Sequence, residues 1–409
     1  MIRLLNQIKQ NPYIRDTRDT NLLTQIYRCY HQLPKANTKN LKTKYLIYSM
    51  INYPAKWPDD LDLFSFLKQS ALKYLKQKKA IFIFDASQEG FSATALQWYK
   101  LFYHSLHKNN IDPSMFIFAT SNLNEEKYLK IFCQENNCQP INIVSAPYFE
   151  FTFDPTIFDQ ADTEVLSKYN STIEQTKNGH TATYFSSLSR VNRLYRSAAT
   201  FILSQSKLKN KALLSHDSIT SESEYNSLTN LLTHYGYSIE NINNWKEQLP
   251  NTIDRGDFSV NWATTPFEHI HNRTLFQIVN ETSVDDQNKT TMFYSEKTFR
   301  PMFCFQPFLI YGQAGANKNL KELGYKCYDK WFDLNFDNEP DPIIRYQKLL
   351  KTVNDTCAYL DSLTHSQRIQ WRFEHEEILI HNHERLTNWE CSKARINKLL
   401  KTVNKKLSK

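Results

Sequence analysis

Four short stretches of this chain combine residue types suited to phosphate, sugar hydroxyls and a proton. In Tyr294, Ser295, Glu296 and Lys297, followed by Arg300, the pattern predicts a helix start. A helix N-terminus attracts anions through its free N–H groups and dipole, so Lys297 and Arg300 in that first turn would make a phosphate site. Glu296 beside them is placed to accept hydrogen bonds from sugar hydroxyls. The same letters also spell a structural helix start, with Ser295 as N-cap and a solvated Lys and Arg. The second stretch, FSSLSRVNRLYRSAATF, runs from strand to helix with Arg190, Arg193 and Arg196 spaced by three. Residues three apart share a helix face, and the planar guanidinium fork suits phosphate oxygens. As plain surface residues they would pair with acids instead. The third stretch is DASQEG, where Asp85, Ser87, Gln88 and Glu89 end an apolar run, and a turn with a positive φ at Gly90 accounts for the same letters. The fourth is LLSHDS, in which His216 and Asp217 end a strand and offer a further donor contact.

These residues need elements to position them. From Ala80 the segments AIFIFDASQEG, ATALQWYKLFYHSLHK, MFIFATSN, EEKYLKIFCQEN and INIVSAPYF alternate short apolar runs with helical patterns. Buried strands alternating with helices are the signature of a parallel sheet, and ligands of such sheets lie beyond the carboxyl ends of the strands. A polar stretch from Asp159 to Thr181 reads as a linker, and a second alternation follows it, with TLFQIVNETS and PFLIYG as later strands. The expected fold class is α/β: a helical N-terminal extension over 1–79, a Rossmann-like domain over 80–180, a second over 181–372 facing it across a cleft, and C-terminal helices over 373–409.

Composition narrows the chemistry. With only seven glycines in 409 residues there is no G-x-G-x-x-G and no G-x-x-x-x-G-K-[ST], which makes a dinucleotide fingerprint, a P-loop and a protein kinase poor fits. The net charge of +8 belongs mostly to the tail, because residues 391–409 carry seven Lys and Arg and no acid, leaving about +1 for everything else. A nucleic-acid partner is therefore not expected. In that tail Ile396, Leu399, Leu400, Val403 and Leu407 recur at spacings of three and four, so a helix there would show one apolar stripe among lysines. Such a helix would lie on an anionic membrane surface or pack against the N-terminal domain. Seven scattered cysteines without a C-x-x-C pair, and no secretory or spanning segment, suit reduced thiols in the cytoplasm. His269-x-His271 and His381-x-His383 lack a third ligand, so no metal site is expected.

FQIVNETS followed by YSEKTFRPMFCFQPFLIYG resembles the pattern F-x-x-x-F-E-N-S, loop, Y-x-T-E-K, helix, P-V-x-x-G of α-1,3-fucosyltransferase-like glycosyltransferases. It is closer still to bacterial and viral relatives carrying S-E-K-T-[FW]-[KR]-P. The resemblance covers roughly residues 181–346, and 80–150 only loosely; Asn280 replaces the aromatic before the acid and Thr282 replaces Asn. It implies a GT-B architecture of two Rossmann-like domains, with the nucleotide sugar held mainly by the C-terminal one. It also implies Glu296 on the ribose, Lys297 on the phosphates and Glu281 on the donor sugar. An Arg of the second stretch would meet the diphosphate, Arg190 or Arg193 in preference to Arg196. An inverting transfer needs a carboxylate to take the acceptor proton, and the resemblance puts Glu89 in that place, with Asp85 as competitor.

The resulting expectation is a metal-independent glycosyltransferase without a cofactor, in which fixed cations neutralise the leaving group. Its donor would be a nucleotide-diphosphate sugar, with a GDP-sugar such as GDP-fucose first by resemblance, and its acceptor a glycan, protein or other hydroxyl. One alternative keeps the enzyme class and moves the acceptor to nucleobase hydroxyls in DNA. The other is a non-catalytic nucleic-acid or membrane adaptor on the same fold.

Overall fold

In the computed structural model, residues 3–4, 14–15, 45–51, 151–153 and 268–269 are described as backbone, and 61–65, 67–87, 90, 93, 97–150, 165–179, 183–189, 191–251, 270–284 and 291–387 with their side chains. Gln88, Glu89, Arg190 and the basic tail at 391–409 lie outside the described residues. The described chain divides into two compact units, one of residues 3–151 with 291–293, the other of 152–284 with 294–387.

The first unit is built on β1 (Arg3–Leu4), β2 (Ile14–Arg15), β3 (Tyr45–Ile51), β4 (Ala80–Ala86), β5 (Phe116–Thr120) and β6 (Asn142–Ser145), with helices α1 (Gln69–Lys76), α2 (Trp98–Lys108) and α3 (Glu125–Glu135). Strand order is β1-β3-β4-β5-β6, every neighbouring pair parallel, while β2 runs antiparallel beside β3. The run AIFIFDA is buried at every position of β4, as expected of a strand covered on both faces. One face is aromatic: Phe84 meets Phe102 of α2 with centroids 4.9 Å apart, and Phe82 meets Phe116 at 5.5 Å. Rings of this size supply much of the buried area of this core.

A correction concerns the helical reading of residues 1–79. Residues 45–51 form a strand that pairs with β4 in parallel from Tyr45↔Ala80 to Met50↔Asp85. YLIYSMI is aromatic and branched enough to be a strand, but among polar residues its short run carries no alternation to announce it. Helix α1 does fall inside the amphipathic piece at 63–77, burying Ala71 and Leu75.

The second unit holds β7 (Phe185–Ser189), β8 (Ala212–His216), β9 (Phe276–Asn280) and β10 (Phe308–Tyr311) in one parallel sheet of order β10-β9-β7-β8. Around it lie α4 (Val165–Gly179), α5 (Leu194–Ser204), α6 (Glu222–His234), α7 (Ile239–Glu247), α8 (Glu268–His271), α9 (Glu296–Phe303), α10 (Ala316–Asn319), α11 (Pro342–Asp361), α12 (His365–Phe373) and α13 (Glu376–Thr387). The chain moves outward from β7 to β8 and then returns to the opposite side of β7 with β9. The seam between β7 and β9 is thus a topological switch point, where the loops leaving two strands diverge and open a crevice at their carboxyl ends. Asn280 spans that seam, its Nδ2 donating to Ser187 Oγ and Ser189 Oγ at 2.8 Å each.

The stretch expected as a linker contains α4, a helix of 15 residues in the second unit. Its buried stripe is Tyr169, Thr172 and Thr176, and the Tyr169 hydroxyl donates to Phe373 O at 3.1 Å. Threonine methyls and a tyrosine ring face inward there, so the letters look polar while the face is packed. The buried Arg372 guanidinium donates to the carbonyls of His271 (2.6 Å), Thr274 (2.9 Å) and Cys304 (2.9 Å), binding the turn between α8 and β9 to the end of α9, two segments that no local pattern connects.

Residues 291–293 dock in the first unit. Met292 exchanges hydrogen bonds with the β5 loop through Met292 N to Asn122 Oδ1 and Leu123 N to Met292 O, both 2.9 Å. The Phe293 ring lies against Gly90 so closely that a Cβ there would stand 2.1 Å from Phe293 Cγ. Gly90→Ala is therefore expected to cost about 1–3 kcal/mol through overpacking. Phe293→Ala in the same background should recover much of that loss, which a double-mutant cycle on the melting temperature will measure.

Candidate functional site

The densest polar cluster of the second unit forms where β9 and β10 end and α9 begins. Glu281 directly follows β9, and its backbone N–H donates to Tyr311 O at 2.9 Å, continuing the ladder one step past the strand. Its carboxylate is fully buried and turned back on the next helix. It accepts from Ser295 N (3.1 Å), Ser295 Oγ (2.6 Å), Thr298 Oγ1 (2.5 Å) and Thr282 N (3.0 Å). Gly312, after β10, allows this close approach: a Cβ on it would sit 3.3 Å from Glu281 Cβ.

Ser295 is the N-cap of α9, its hydroxyl accepting from Lys297 N at 3.4 Å. With the Glu281 carboxylate beside it, the positive end of this helix already holds an internal anion. The Glu281 carboxylate, expected to face a sugar, has its oxygens bonded to Ser295, Thr298 and Thr282 and lies against the α9 start, which was expected to receive a phosphate. The reason is geometric: β9 and α9 meet tail to head, and a carboxylate at the strand end reaches the helix N–H groups first.

What α9 does present is the pair that follows. Glu296 is 2% exposed and its Oε1 receives Lys297 Nζ at 2.6 Å, while the Lys297 side chain keeps 22% of its surface exposed. Burial works to raise the Glu296 carboxyl, but the positive charges of Lys297 and Arg300 outweigh it and hold the group below the ordinary carboxylate range. Arg300 lies one turn along the same helix and is buried. Tyr294, fully buried, donates to Ala316 O at 2.7 Å and anchors the segment before the helix.

Arg196 reaches this corner from α5. Its Nε donates to Glu281 O and its Nη2 to Thr282 Oγ1, both at 2.8 Å, so the guanidinium ties the start of α5 to the loop after β9. Arg193 occupies the N-cap of the same helix, three residues earlier, exposed and with no side chain capping the helix. An exposed cation on a helix start that no side chain fills is the better anion seat of the two. Arg193 also lines a cavity of about 250 Å³ together with Asn192, Ser197, Ile219, Glu224 and Leu228, between the start of α5 and the first turns of α6 with the loop before it.

His216 is completely buried, with Nε2 bonded to Ser197 Oγ at 3.0 Å and Nδ1 to Asp217 O at 2.7 Å. Burial pushes its pKa down, so it stays neutral, and both ring nitrogens are used within the protein. His216, expected to contact the donor, holds Ser197, which lines the cavity. In the first unit Asp85 is buried at the end of β4, Oδ1 accepting from Ser87 N at 2.8 Å in a local turn. The second unit thus brings together Arg196, Glu281, Tyr294, Ser295, Glu296, Lys297 and Arg300, with Arg193 and His216 one step away at the cavity.

Arg345 of α11 belongs to this site and carries no local signal for it. Buried, it donates through Nη2 to Val284 O and Gly312 O at 2.8 Å each, and through Nη1 to Glu339 O and Pro340 O. One guanidinium thereby fixes the loops that leave β9 and β10. Among the described residues no group of three or more His, Cys, Asp and Glu is arranged to hold a metal ion, and no helix is long and apolar enough to cross a membrane.

No protein-family model matches the chain, and no curated protein matches it. Solved structures similar to it include the N-terminal domain of trehalose-6-phosphate phosphatase from Candida albicans, at 12% identity and a TM-score of 0.44 over 95% of this chain and 77% of that one. The α,α-trehalose 6-phosphate synthase of Burkholderia multivorans matches at 10% identity and TM-score 0.39 over 98% and 88%. The UDP-forming α,α-trehalose-phosphate synthase of Burkholderia vietnamiensis matches at 8% and 0.41 over 98% and 91%.

Proposed function

We propose that the chain is a glycosyltransferase of GT-B architecture that moves a sugar from a nucleotide-diphosphate donor to an acceptor hydroxyl with inversion and without a metal ion. The observation that carries the reading is the grouping of Lys297 and Arg300 around Glu296, with Arg196 on the neighbouring loop after β9, at the switch point of a parallel sheet. Phosphate binding alone does not require a buried carboxylate among its cations; a ribose with two hydroxyls to donate does.

In this reading Lys297 and Arg193, with Arg190 beside it in sequence, neutralise the diphosphate, and Glu296 holds the ribose. The cavity next to Arg193 takes the base: Ile219 and Leu228 face its apolar faces and Glu224 and Asn192 its polar edge. Glu281 acts by positioning α9. The acceptor oxygen attacks the anomeric carbon as the bond to the diphosphate oxygen breaks. The electron pair leaves with the diphosphate, and the acceptor proton passes to Glu89. Asp85, buried and bonded to Ser87, is the weaker candidate for that base. Fixed cations stabilise the charge that develops on the leaving group. A GDP-sugar remains the first donor to try, by resemblance, with a glycan, protein or other hydroxyl as acceptor, in a cytoplasmic setting.

Melting-temperature shifts measured with GDP, UDP and ADP beside their nucleosides test this directly. One diphosphate is expected to stabilise the protein clearly more than its nucleoside, by mass action on the folded state. Sugar transfer from the matching donor should persist in EDTA. A protein that none of the diphosphates stabilises, or whose transfer stops without added Mn²⁺, is not the enzyme described.

A further inference from the structure

Cys133 and Cys138 stand at the end of α3, and the way that helix closes brings their side chains together. Cys138 N donates to Cys133 O at 3.1 Å, a bond that spans one residue more than the helical ladder, and Asn137 before it has a φ of 47°. A left-handed residue followed by a bond of this reach is a Schellman cap, whose outer residues characteristically meet through their side chains. Both cysteines accordingly pack into one core cluster of the first unit, Cys133 buried and Cys138 partly exposed. The Cys138 side chain lies within hydrogen-bonding reach of the Cys133 sulfur. Caps of this kind ordinarily join two apolar side chains; here both are thiols, and both are free of any disulfide.

The surroundings set different tasks for the two. The Tyr103 hydroxyl of α2 donates to Gln139 O at 2.6 Å and accepts from Ile141 N at 3.1 Å, which holds the turn leading into β6. Its one proton is spent on Gln139, so the 3.1 Å contact between Tyr103 Oη and Cys133 Sγ is a bond donated by the thiol. Burial first, and then the Cys138 sulfur, push the Cys133 thiol up to about 11, against the pull of the Tyr103 hydroxyl. A buried thiol that keeps its proton is a poor first nucleophile, whereas Cys138 is the one a reagent in solvent can reach. Among the described residues no third His, Cys, Asp or Glu joins them in a metal-holding group, which leaves chemistry between the two sulfurs.

We propose that Cys133 and Cys138 are a modification site, a dithiol that small disulfides of the glutathione type oxidise to an intramolecular disulfide joining the end of α3 to the turn before β6. The Cys138 thiolate attacks one sulfur of the small disulfide, whose S–S bond breaks and releases one thiolate, leaving a mixed disulfide on Cys138. Cys133 then gives up its proton and attacks the Cys138 sulfur; the bond to the small thiol breaks and the second thiolate leaves. Two protein thiols are oxidised, one small disulfide is reduced to two thiols, and these take up the two protons. The cap already fixes the backbone of residues 133 and 138 side by side, which is the condition for a bridge that closes without large backbone movement. The inference concerns the first unit alone and does not depend on sugar transfer.

Incubation of the full-length protein in mixtures of reduced and oxidised glutathione, followed by alkylation and tryptic digestion, tests it. Both cysteines fall in one tryptic peptide, residues 131–168, which contains no other cysteine. In the native protein this peptide is expected to resist alkylation and become two hydrogens lighter as the mixture turns oxidising, and to regain both thiols on reduction. The closed form should exceed the mixed disulfide by at least about tenfold, because the second thiol is already at hand. Cys133→Ala keeps a small apolar side chain in the core and should stop at the mixed disulfide on Cys138, while Cys138→Ser should leave Cys133 unmodified. A native peptide that stays open to alkylation at both cysteines in oxidised glutathione, a mixed disulfide that accumulates there without closing, or a folded Cys133→Ala protein that takes up no glutathione would each overturn the proposal. If a variant unfolds, the native peptide still decides, since the bridge is read there without any substitution.

Discussion

Lys297→Ala is expected to lose nucleotide diphosphate affinity by about ten- to a hundred-fold, the equivalent of a charged hydrogen bond worth about 1.5–3 kcal/mol, and to abolish transfer. Nucleoside affinity should hardly change, because the base seat proposed at Ile219, Leu228, Glu224 and Asn192 does not involve Lys297. The fold should survive. Lys297 is the partly exposed member of its ion pair, and Arg300 remains beside Glu296 when the ammonium is gone. Isothermal titration with the diphosphate and the nucleoside, beside a melting curve, separates these effects; wild-type diphosphate affinity in the variant removes Lys297 from the site.

Glu281→Ala should behave differently, and the contrast is the sharper test. Its carboxylate accepts four hydrogen bonds from Ser295, Thr298 and Thr282 inside a buried corner. Deleting it orphans those donors at about 1–3 kcal/mol each, and the total will exceed about 3 kcal/mol even with relaxation. A unit of this size then melts lower by roughly 6 °C or more. Since α9 loses the group that fixes its first turn, diphosphate affinity should fall along with stability. Glu281→Gln keeps the shape and one acceptor oxygen, and should fall between the two. If Glu281→Ala melted like the native protein and lost only discrimination among donor sugars, Glu281 would be a sugar contact after all.

The strands AIFIFDA, MFIFATS, INIVS and FQIVN were legible because a strand buried on both faces has to be a continuous apolar run, and such runs stand out in a chain rich in charged and amide residues. The helix start at Ser295 was legible for a similar reason: capping is a local interaction, and Ser before Glu and Lys writes it in adjacent letters. Strand β3 and helix α4 were not. YLIYSMI gains its identity from pairing with β4, a partner some thirty residues away in the chain, and α4 buries threonines whose methyls pack like those of valine while their letters count as polar. Glu281 was legible as a special residue, but not its bonds to Ser295 and Thr298, because its direction depends on where α9 begins in space.

Sequence by itself determined the α/β class, the two alternating halves of the chain, and the Ser295, Glu296, Lys297 and Arg300 cluster, since each rests on periodicity or spacing within a few turns. The tertiary structure decided which charges meet. It turned Glu281 inward as the anchor of α9 and paired Glu296 with Lys297. It brought Arg345 and Arg196 to the loops after β9 and β10. Hydrogen bonds and Coulomb forces act over a few ångströms, so they are set by how distant segments pack, and a string of letters carries no such distances.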